Sequence, residues 1–522
     1  MRKPRMPQTN KIAQEHFDVR KWRASLLPEH YDADMQLDAD LCYRALRARD
    51  SRFDGRFFVA VSSTKIYCRP ICTVRPAQRE NCTFFPSAAA AEAAGYRPCL
   101  RCRPELAPGN ASVDASHRLA QSAASLIEDG ANADESLEQI AAKLGVTDRH
   151  LRRVFHEEFG VAPIAYAQTQ RLLLAKRLLT DTASTVTDIA FASGFGSLRR
   201  FNALFKSRYR LSPSRLRKPP ISEVPEALGF ELSYRPPYDW PALTRFLGMR
   251  CVGGVEEFSV TSYRRTVRIV RDGREHLGWI EVSPSRRKPA LRVMIAASLM
   301  KVLPAVLARI KHLMDLSANP EEIGETLGAL AVDHPGIRVP GAFDGFEIAV
   351  RAILGQQVSV AAARTIAGRF AKAFGTPVET PFATLQTAFP TPQRVAELEV
   401  GDIARLGVIA SRARSIIELA RAITRDKLIL TPLADVTAAM DHLRSLPGIG
   451  EWTAQYIAMR ALGWPDAFPH SDLGVMKALG ESNPKRVLEA GEAWRPWRAY
   501  AVMHLWMLEA ATKVRIASGT AA

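Results

Sequence analysis

The sequence predicts a multidomain protein that is mainly α-helical and contains smaller α+β modules, and three observations support this fold class. The chain has 522 residues, which is too many for one hydrophobic core. Helical periodicity dominates residues 117–217 and the stretch after Pro340, whereas strand-like runs lie between Phe230 and Ser298. Six of the seven cysteines fall within residues 36–106.

Changes in composition along the chain predict its domain boundaries. Stretches rich in Pro, Gly, Ser and Asn at 104–116 and around 217–227 have the composition of linkers. The predicted segments are a polar tail at 1–35, a cysteine-rich module at 36–106, a helical module at 117–217, an α+β layer at 226–340 and a large helical domain at 341–515.

The charge of the chain indicates the class of its partner. The formal net charge is +17 and the pI is near 9.8, which favours a nucleic acid or an anionic membrane surface. No apolar run reaches the roughly 20 residues that span a bilayer, and the charged N-terminus lacks the apolar region of a signal peptide. We therefore expect a cytoplasmic protein without a membrane segment, in which clustered cysteines indicate metal binding or thiol chemistry.

Four cysteines have the spacing of a metal site. Two short-spaced pairs separated by a loop can close a tetrahedral Zn²⁺ site with four thiolates. A purely structural zinc ion, holding together a module too small to fold alone, is one interpretation. The three remaining cysteines lack such partners and are expected to be small hydrophobic core residues. The predicted ligands are Cys68, Cys72, Cys99 and Cys102, and the remaining cysteines are Cys42, Cys82 and Cys251.

The cysteine-rich module resembles a known family. The stretch "FDGRFFVAVSSTKIYCRPICTVRPAQREN", followed by "AAGYRPCLRCRPE", is similar to the N-terminal domain of the Ada family of bacterial alkylation-response proteins. The resemblance implies that Cys68 accepts a methyl group from a DNA phosphotriester, since a zinc-bound thiolate stays deprotonated and nucleophilic at neutral pH. Arg69 and Arg75 are then expected to face DNA phosphates. The alternative is a zinc-supported regulator without methyl transfer.

The helical module contains an internal repeat of two helix-turn-helix units. In the first unit Gly145 makes the turn and Thr147 is the candidate N-cap of the second helix. Leu151, Phe155, Phe159 and Pro163 recur as Phe201, Phe205, Tyr209 and Pro213. The second helix of each unit carries arginines on its outer face, as a recognition helix does: Arg149, Arg152 and Arg153 in the first, and Arg199 and Arg200 in the second. Two generic helix pairs with solvated charged faces are the alternative.

The helical module resembles the AraC-type DNA-binding domain, for example in "DIAFASGFGSLRRFNALFKSRYRLSPSRLR". The same order of domains occurs in Ada. The resemblance implies transcription activation at alkylation-response promoters, with promoter DNA and RNA polymerase as partners and a position on the nucleoid. The "PCHR" site of the second Ada methyltransferase does not occur, and no cysteine follows Cys251, so repair of O6-methylguanine is not expected.

Strand-like runs identify the α+β layer. They are "FELSY", "TVRIV", "GWIEV" and "LRVMIA". Asp272-Gly273 between two of them predicts a hairpin, and a helix is expected near 301–315.

The stretch "LRSLPGIGEWTAQ" predicts a helix-hairpin-helix in the large helical domain. Gly448 and Gly450 remove side chains, so that N–H groups at the start of the next helix can bind a DNA phosphate. Carbonyl groups of this turn can bind a monovalent cation that bridges to the phosphate, and the expected ligands are those of Arg444, Leu446 and Ile449. This motif alone indicates non-specific binding of double-stranded DNA.

Asp472 follows this hairpin at the spacing found in the helix-hairpin-helix DNA glycosylases, which the segment resembles. The resemblance implies that Asp472 stabilises an oxocarbenium-like sugar while the N-glycosidic bond breaks. Asp472 is also a candidate N-cap of the helix that begins "LGVMK", and the two roles are compatible. A domain that has lost catalysis and only scans DNA remains the alternative.

Further features narrow the resemblance to the AlkA type of 3-methyladenine DNA glycosylase. Trp452 stands where bifunctional relatives have a lysine, so strand cleavage is not expected, and no cysteines for an iron–sulfur cluster follow Asp472. The segments "GFEIAVRAILGQQVSVAAA" and "WRPWRAYAVMHLW" match AlkA. The resemblance implies that methylated bases of alkylated DNA are flipped and held against Trp452, Tyr456 and Trp506, since aromatic faces attract cationic bases. Gln357 occupies the position of the wedge residue.

Overall fold

The computed structural model describes residues 38–108, 115–129, 136–182, 184–217, 226–271, 273–432 and 434–517. The predicted tail at 1–35, Asp272 and most of the predicted linker at 217–227 lie outside the described residues. The described residues belong to one compact unit. Within these ranges, none of the helices combines the length and apolar character needed to cross a bilayer.

The cysteine-rich module is a small sheet between two helices. Its elements are α1 (Ala39–Ala48), β1 (Phe58–Val61), β2 (Ile66–Cys68), β3 (Cys82–Phe85), α2 (Ala88–Ala93) and β4 (Arg97–Pro98). The strand order is β3–β1–β2–β4, with β4 parallel to β2 and the other pairs antiparallel. Phe57 and Val59 pack with α1 on one face, and Phe58 and Tyr67 pack with α2 on the other. The sheet thereby fixes the position of Cys68, the last residue of β2.

The helical module contains both predicted helix-turn-helix units. Its helices are α3 (Ala115–Asp129), α4 (Leu137–Lys143), α5 (Asp148–Phe159), α6 (Pro163–Asp181), α7 (Val186–Ala192), α8 (Leu198–Tyr209) and α9 (Pro213–Leu216). Gly145 has a φ of +69°, and the Thr147 side chain accepts a hydrogen bond from the His150 N–H at 3.3 Å. The repeated positions are buried in both units, including Phe155 and Phe201. The predicted internal repeat is therefore confirmed, and α6 joins its two units.

The α+β layer is a five-stranded antiparallel sheet with helices beside it. Its elements are β5 (Ala227–Ser233), α10 (Trp240–Gly248), β6 (Glu256–Phe258), β7 (Tyr263–Arg271), β8 (Arg274–Pro284), β9 (Ala290–Ala296), α11 (Leu303–Leu313) and α12 (Pro320–Leu327). The strand order is β5–β9–β8–β7–β6. Arg271 pairs with Arg274, which confirms the hairpin although Asp272 itself is outside the described residues. The sequence reasoning missed α10, which begins at the N-cap Asp239.

The large domain at the C-terminal end is almost entirely helical. Its elements are α13 (Gly345–Leu354), α14 (Val360–Phe374), β10 (Thr376–Pro377), β11 (Thr387–Ala388), α15 (Pro392–Ala396), α16 (Val400–Ala404), α17 (Ala410–Thr424), α18 (Val436–Ser445), α19 (Glu451–Arg460), α20 (Leu473–Leu479), α21 (Pro484–Gly491) and α22 (Arg498–Ala517). The chain turns between α18 and α19, as the helix-hairpin-helix prediction requires. The predicted fold class, a mainly α-helical multidomain protein with α+β modules, is therefore confirmed.

Candidate functional sites

Four cysteine side chains converge at one end of the small sheet. Cys68 ends β2 and Cys72 lies in the following turn, while Cys99 and Cys102 follow β4, the neighbour of β2. Their sulfur atoms all lie within 4.8 Å of one another. Tetrahedral Zn–S bonds of about 2.3 Å hold sulfur atoms about 3.8 Å apart, so the four thiols suit a Zn²⁺ ion in both spacing and chemistry.

The four sulfur atoms differ in the hydrogen bonds that they accept. The N–H of Arg69 lies 3.3 Å from Cys102 Sγ, and the N–H of Arg101 lies 3.4 Å from Cys99 Sγ. In the part of the chain that the structure describes, no main-chain hydrogen bond reaches the Sγ atom of Cys68 or of Cys72. Because a hydrogen bond withdraws electron density from a thiolate, Cys68 and Cys72 keep the more electron-rich sulfurs of the four.

The expectation that Arg69 faces DNA is wrong. The Arg69 residue is only 3% exposed. Its guanidinium is paired with Asp54, with an Arg69 Nε–Asp54 Oδ1 distance of 2.7 Å. It also donates to the carbonyl of Cys102 at 3.3 Å. A buried guanidinium needs a carboxylate partner, and Asp54 provides one beside the cysteine cluster. Arg75, by contrast, is exposed.

The arginines of both recognition helices lie at the surface. Arg149 and the pair Arg152 and Arg153 are exposed on α5, and Arg199 and Arg200 are exposed on α8. Two of them make weak pairs within their helix: Arg152 lies 3.4 Å from Asp148, and Arg153 lies 3.1 Å from Glu157. Exposed pairs of this kind contribute little stability, so a phosphate can replace either carboxylate at small cost.

A buried carboxylate that sequence reasoning missed joins the cysteine-rich module to the helical module. Glu92 on α2 is 3% exposed. It accepts hydrogen bonds from Tyr67 Oη at 3.0 Å, Thr169 Oγ1 at 3.2 Å and Tyr209 Oη at 3.4 Å. Burial raises the pKa of Glu92 to about 7. Tyr67 precedes the methyl-acceptor candidate Cys68, and Tyr209 ends the second candidate recognition helix. The Glu92 side chain therefore contacts a residue of each module. No sequence signal marks Glu92, because its neighbours in the chain are alanines.

The helix-hairpin-helix turn has the geometry that its glycines predict. Gly448 has a φ of +76°, and a Cβ atom there would lie 2.3 Å from Ser415 Oγ. Gly450 precedes α19, and a Cβ atom there would meet nothing within 4 Å. The N-terminus of α19 is therefore open to a phosphate. The carbonyl of Leu446 accepts a bond from the Ile449 N–H at 3.3 Å within the turn.

Asp472 is the N-cap of α20 and accepts hydrogen bonds from four N–H groups. Its Oδ1 atom accepts from the main chain of Gly474 at 2.8 Å and of Val475 at 3.0 Å. Oδ1 also accepts from Trp506 Nε1 at 2.8 Å, and Oδ2 accepts from Trp452 Nε1 at 2.8 Å. The carboxylate is half-buried and held in one orientation by two indoles and a helix N-terminus. Asp472 caps α20 through Oδ1, so the predicted N-cap is observed. Its Oδ2 atom accepts one hydrogen bond, from Trp452 Nε1.

Aromatic rings surround this carboxylate in two stacked pairs. The rings of Trp452 and Tyr456 are 5.5 Å apart and nearly parallel. Trp506 stacks on Phe246 at 5.8 Å, and Tyr456 and Trp506 are 6.3 Å apart. The three predicted aromatic residues are thus brought together with Asp472. Phe246 was missed, because it comes from α10 in the α+β layer and no local pattern links it to the hairpin.

A buried arginine fixes the hydroxyl group of Tyr456. Arg460 Nη1 donates to Tyr456 Oη at 2.9 Å, and its Nη2 donates to the carbonyl of Gly341 at 3.3 Å. Burial would raise the pKa of Tyr456, but the positive charges of Arg460, Arg250 and Arg351 outweigh it and lower the pKa. Because Tyr456 Oη accepts this bond, its own proton is available to a ligand.

The candidate wedge residue lies next to the hairpin. Gln357 is exposed and has a φ of +55°. Its neighbour Gln356, which sequence reasoning missed, donates to the carbonyl of Gly448 at 3.0 Å and to Thr453 Oγ1 at 2.9 Å. The turn that presents Gln357 is therefore tied to the helix-hairpin-helix.

Comparison with known proteins finds four family models along the chain. Family models match for the metal-binding domain of Ada at residues 41–105, a helix-turn-helix domain at 140–219, the AlkA N-terminal domain at 229–344 and the HhH-GPD superfamily of base excision DNA repair proteins at 350–485.

Three relatives match different parts of the chain. The probable bifunctional transcriptional activator/DNA repair enzyme AlkA of Mycobacterium tuberculosis is 38% identical over 488 residues, covering 90% of this chain and 97% of the relative. DNA-3-methyladenine glycosylase 2 of Escherichia coli is 36% identical over 280 residues, 54% of this chain and 97% of the relative. The bifunctional transcriptional activator/DNA repair enzyme Ada of Escherichia coli is 38% identical over 155 residues, 29% of this chain and 42% of the relative. The chain therefore belongs to the family in which an Ada-type metal-binding and helix-turn-helix half is fused to an AlkA-type glycosylase half.

Proposed function

We propose that this protein repairs and senses DNA alkylation with two separate centres. One hydrolyses the N-glycosidic bond of methylated bases such as 3-methyladenine and 7-methylguanine in duplex DNA. The other accepts a methyl group from a DNA phosphotriester on Cys68 and thereby switches on sequence-specific transcription activation. The observation that carries the proposal is the Asp472 carboxylate, held by two indole N–H groups beside stacked aromatic rings and a helix-hairpin-helix.

In base excision, Asp472 supplies a fixed negative charge to a sugar that becomes positive. The C1′–N bond breaks, and its electron pair leaves with the base, which neutralises a base methylated at N3 or N7. Water adds to C1′, and its proton passes to Asp472 or to solvent. Trp452 occupies the position of a Schiff-base lysine, so the reaction stops at the abasic site without strand cleavage.

The neighbouring groups select and hold the flipped base. Stacked aromatic faces attract a cationic base, which contributes about 1–2 kcal/mol when both partners are desolvated. Gln357 projects from a turn that is tied to the hairpin and enters the gap left by the flipped base, where its amide can hydrogen-bond the orphaned partner. Gly448 and Gly450 present N–H groups to a phosphate, and the carbonyls of Arg444, Leu446 and Ile449 bind a monovalent cation beside it.

A glycosylase assay on alkylated duplex DNA tests this half of the proposal. Wild-type protein is expected to release free 3-methyladenine without strand breaks, and Asp472→Asn is expected to lose roughly a thousandfold in rate, as for the removal of a preorganised charge. Equal release by both proteins would refute the role of Asp472. Absence of release by either would indicate a domain that only scans DNA.

In methyl transfer, the sulfur of Cys68 attacks the methyl carbon of a phosphotriester. An S–CH₃ bond forms and the C–O bond breaks, and its electron pair stays on the phosphate as a diester anion. A Zn²⁺ ion held by Cys68, Cys72, Cys99 and Cys102 would keep their thiols ionised at neutral pH. Cys99 and Cys102 accept main-chain hydrogen bonds, which leaves Cys68 and Cys72 as the more nucleophilic pair, and the resemblance to Ada favours Cys68.

Methylation removes one negative charge from the cysteine cluster and so increases affinity for DNA phosphates. Arg75 is the exposed arginine beside the cluster, and the exposed arginines of α5 and α8 contact promoter DNA. We infer that the methylated protein recruits RNA polymerase at alkylation-response promoters and acts on the nucleoid.

Mass spectrometry after exposure to DNA with methyl phosphotriesters tests the second half. One added methyl group on Cys68, absent in Cys68→Ser, is the expected result. No added methyl group on the wild-type chain would favour the alternative, a glycosylase fused to a zinc-supported transcription regulator.

A further inference from the structure

We infer that strand β5 and helix α12 of the glycosylase half form a docking surface, here called the seat, for the cysteine-rich module. This seat holds in place the turn from Cys99 to Cys102, here called the zinc-binding turn. The glycosylase half is residues 226–517, and the N-terminal half is residues 38–217. The interface stands on its own contacts, whereas its importance for methyl transfer rests on the proposed function.

Charges of opposite sign meet at one side of this interface. Arg52 and Arg56 of the cysteine-rich module pair with Glu321 and Glu322, respectively. Both glutamates lie in the first turn of α12, where a negative charge is favourable to the helix. The paired side chains keep between 21% and 50% of their exposure, so each pair is weak alone, and their main effect is to set the orientation of the two halves.

A buried cation connects the zinc-binding turn to the end of β5. Arg69 donates to the carbonyl of Cys102 at 3.3 Å and to Ser233 Oγ, the last residue of β5, at 3.1 Å. Its partner Asp54 is also buried. The residue that follows the methyl-acceptor candidate therefore holds the last cysteine of the cluster with one nitrogen and the glycosylase half with another.

Helix α6 makes the same connection from the other end of the turn. The Lys176 ammonium, 1% exposed, donates to the carbonyl of Cys99 at 3.3 Å and to Glu105 at 2.7 Å. The next residue, Arg177, donates to the carbonyl of Glu231 on β5 at 2.8 Å, and its guanidinium lies 4.6 Å from the centre of the Phe230 ring. The Cys102 end of this turn is thus held by a cation that contacts β5, and the Cys99 end is held by a cation whose neighbour on α6 contacts β5.

The interface between the two halves is not continuously packed. A cavity of about 1000 Å³ lies between them, and residues of both halves line it, among them Phe58, Tyr166, Phe343 and Tyr500. Besides the polar contacts, α3 packs against α11, where Lys311 lies 3.5 Å from Glu128. An interface with such a gap resembles a transient contact between domains, and polar substitutions can open it without exposing a continuous core.

Charge reversal in the full-length, zinc-loaded chain tests the seat. Small-angle X-ray scattering gives the radius of gyration, and a chromophoric chelator gives the rate of zinc release. The double variant E321R/E322R is expected to have a larger radius of gyration than wild type. S233R, which places a cation against Arg69, is expected to release zinc roughly tenfold faster, as for the loss of a charge-assisted hydrogen bond.

Two further variants make the outcome decisive. E325R makes one substitution of the same kind, Glu to Arg, at an exposed position on α12 and is expected to behave as wild type. The quadruple variant R52E/R56E/E321R/E322R restores the pairs with exchanged signs and is expected to recover the wild-type radius. The inference is overturned if E321R/E322R and S233R match E325R in both measurements, or if the quadruple variant stays expanded.

Release of 3-methyladenine by each variant reports that its glycosylase half is folded. Failure of methyl transfer in the wild-type chain would refute the proposed role of Cys68, while scattering and zinc release would still decide whether the seat exists.

Discussion

The two groups proposed to react, Asp472 and Cys68, are held in opposite ways. The Asp472 carboxylate accepts hydrogen bonds from four N–H groups, whereas no main-chain hydrogen bond reaches Cys68 Sγ within the described residues. A nucleophile needs unshared electron density, but a group that stabilises a cationic sugar needs only a fixed charge. The hydrogen bonds on the two anions therefore match their proposed tasks. The well-bonded carboxylate is placed to stabilise a cationic sugar, and the sparsely bonded thiolate is placed to attack a methyl carbon.

The largest effect that separates the two centres is expected from metal removal. Chelation of zinc should abolish methyl acceptance by Cys68, because the thiols then lose the charge that keeps them ionised. It should leave release of 3-methyladenine unchanged, since all four donors to Asp472 lie in the glycosylase half. Parallel assays of the chelated and reconstituted protein check this. Loss of both activities would show that the two centres are not independent.

Removing the two indole N–H donors tests whether they position the Asp472 carboxylate for excision. In the double variant W452F/W506F a phenyl ring replaces each indole, so an aromatic face remains but both N–H groups are lost. We expect roughly a hundredfold slower excision, about tenfold for each donor to a charged group. Single-turnover release of 3-methyladenine measures the rate, and the two single variants are the controls. A double variant with the wild-type rate would mean that the indoles act only by stacking.

A smaller effect is expected from crowding the same carboxylate. At Gly474 a Cβ atom would lie 3.0 Å from Trp506 Cδ1 and 3.1 Å from Asp472 Oδ1. Gly474→Ala should therefore displace the indole of Trp506. We expect this to raise the activation free energy of excision by about 1 kcal/mol, which is roughly a fivefold loss of rate. At Gly401, which lies within α16, a Cβ atom meets nothing within 4 Å, so Gly401→Ala is the matched control. Equal rates for the two variants would contradict the prediction.

The last effect concerns stability rather than reaction rate, and it involves Glu92. Its pKa is raised by burial to about 7 from an ordinary 4.5, so the folded state binds more protons between these values. The contribution of Glu92 to stability is therefore fully present below about pH 4.5 and is lost as pH rises through about 7, by no more than about 3.5 kcal/mol. The titratable or charged groups that face it are Tyr67, Tyr209 and Arg208.

Glu92→Gln removes this dependence and keeps the volume of the side chain. Thermal unfolding midpoints of the zinc-loaded proteins at pH 5.5 and 8.0 measure the effect. The midpoint of the glutamine variant should rise relative to wild type as pH rises, and a constant difference between the two proteins would count against the assignment.

Much of the chemistry was predictable because it depends on short spacings. The cysteine pairs, the glycines of the hairpin and the N-cap positions Thr147 and Asp472 act through neighbours in the chain, and the structure has each of these local features. Arg69 was predicted wrongly, because a position beside a reactive cysteine does not reveal whether a side chain turns outward or inward. The partner that turns it inward, Asp54, is fifteen residues away in the chain.

Sequence by itself determined the families, the mainly helical fold class, the cysteine cluster and the carboxylate at the head of α20. These features follow from local periodicity, capping and ligand spacing. Only the tertiary structure decided which sulfurs are left without a main-chain donor, that two indoles hold Asp472, that Phe246 joins the aromatic rings and that Glu92 links α2 to α8. Each of these depends on side chains that are distant in the chain, and burial rather than local pattern brings them into contact.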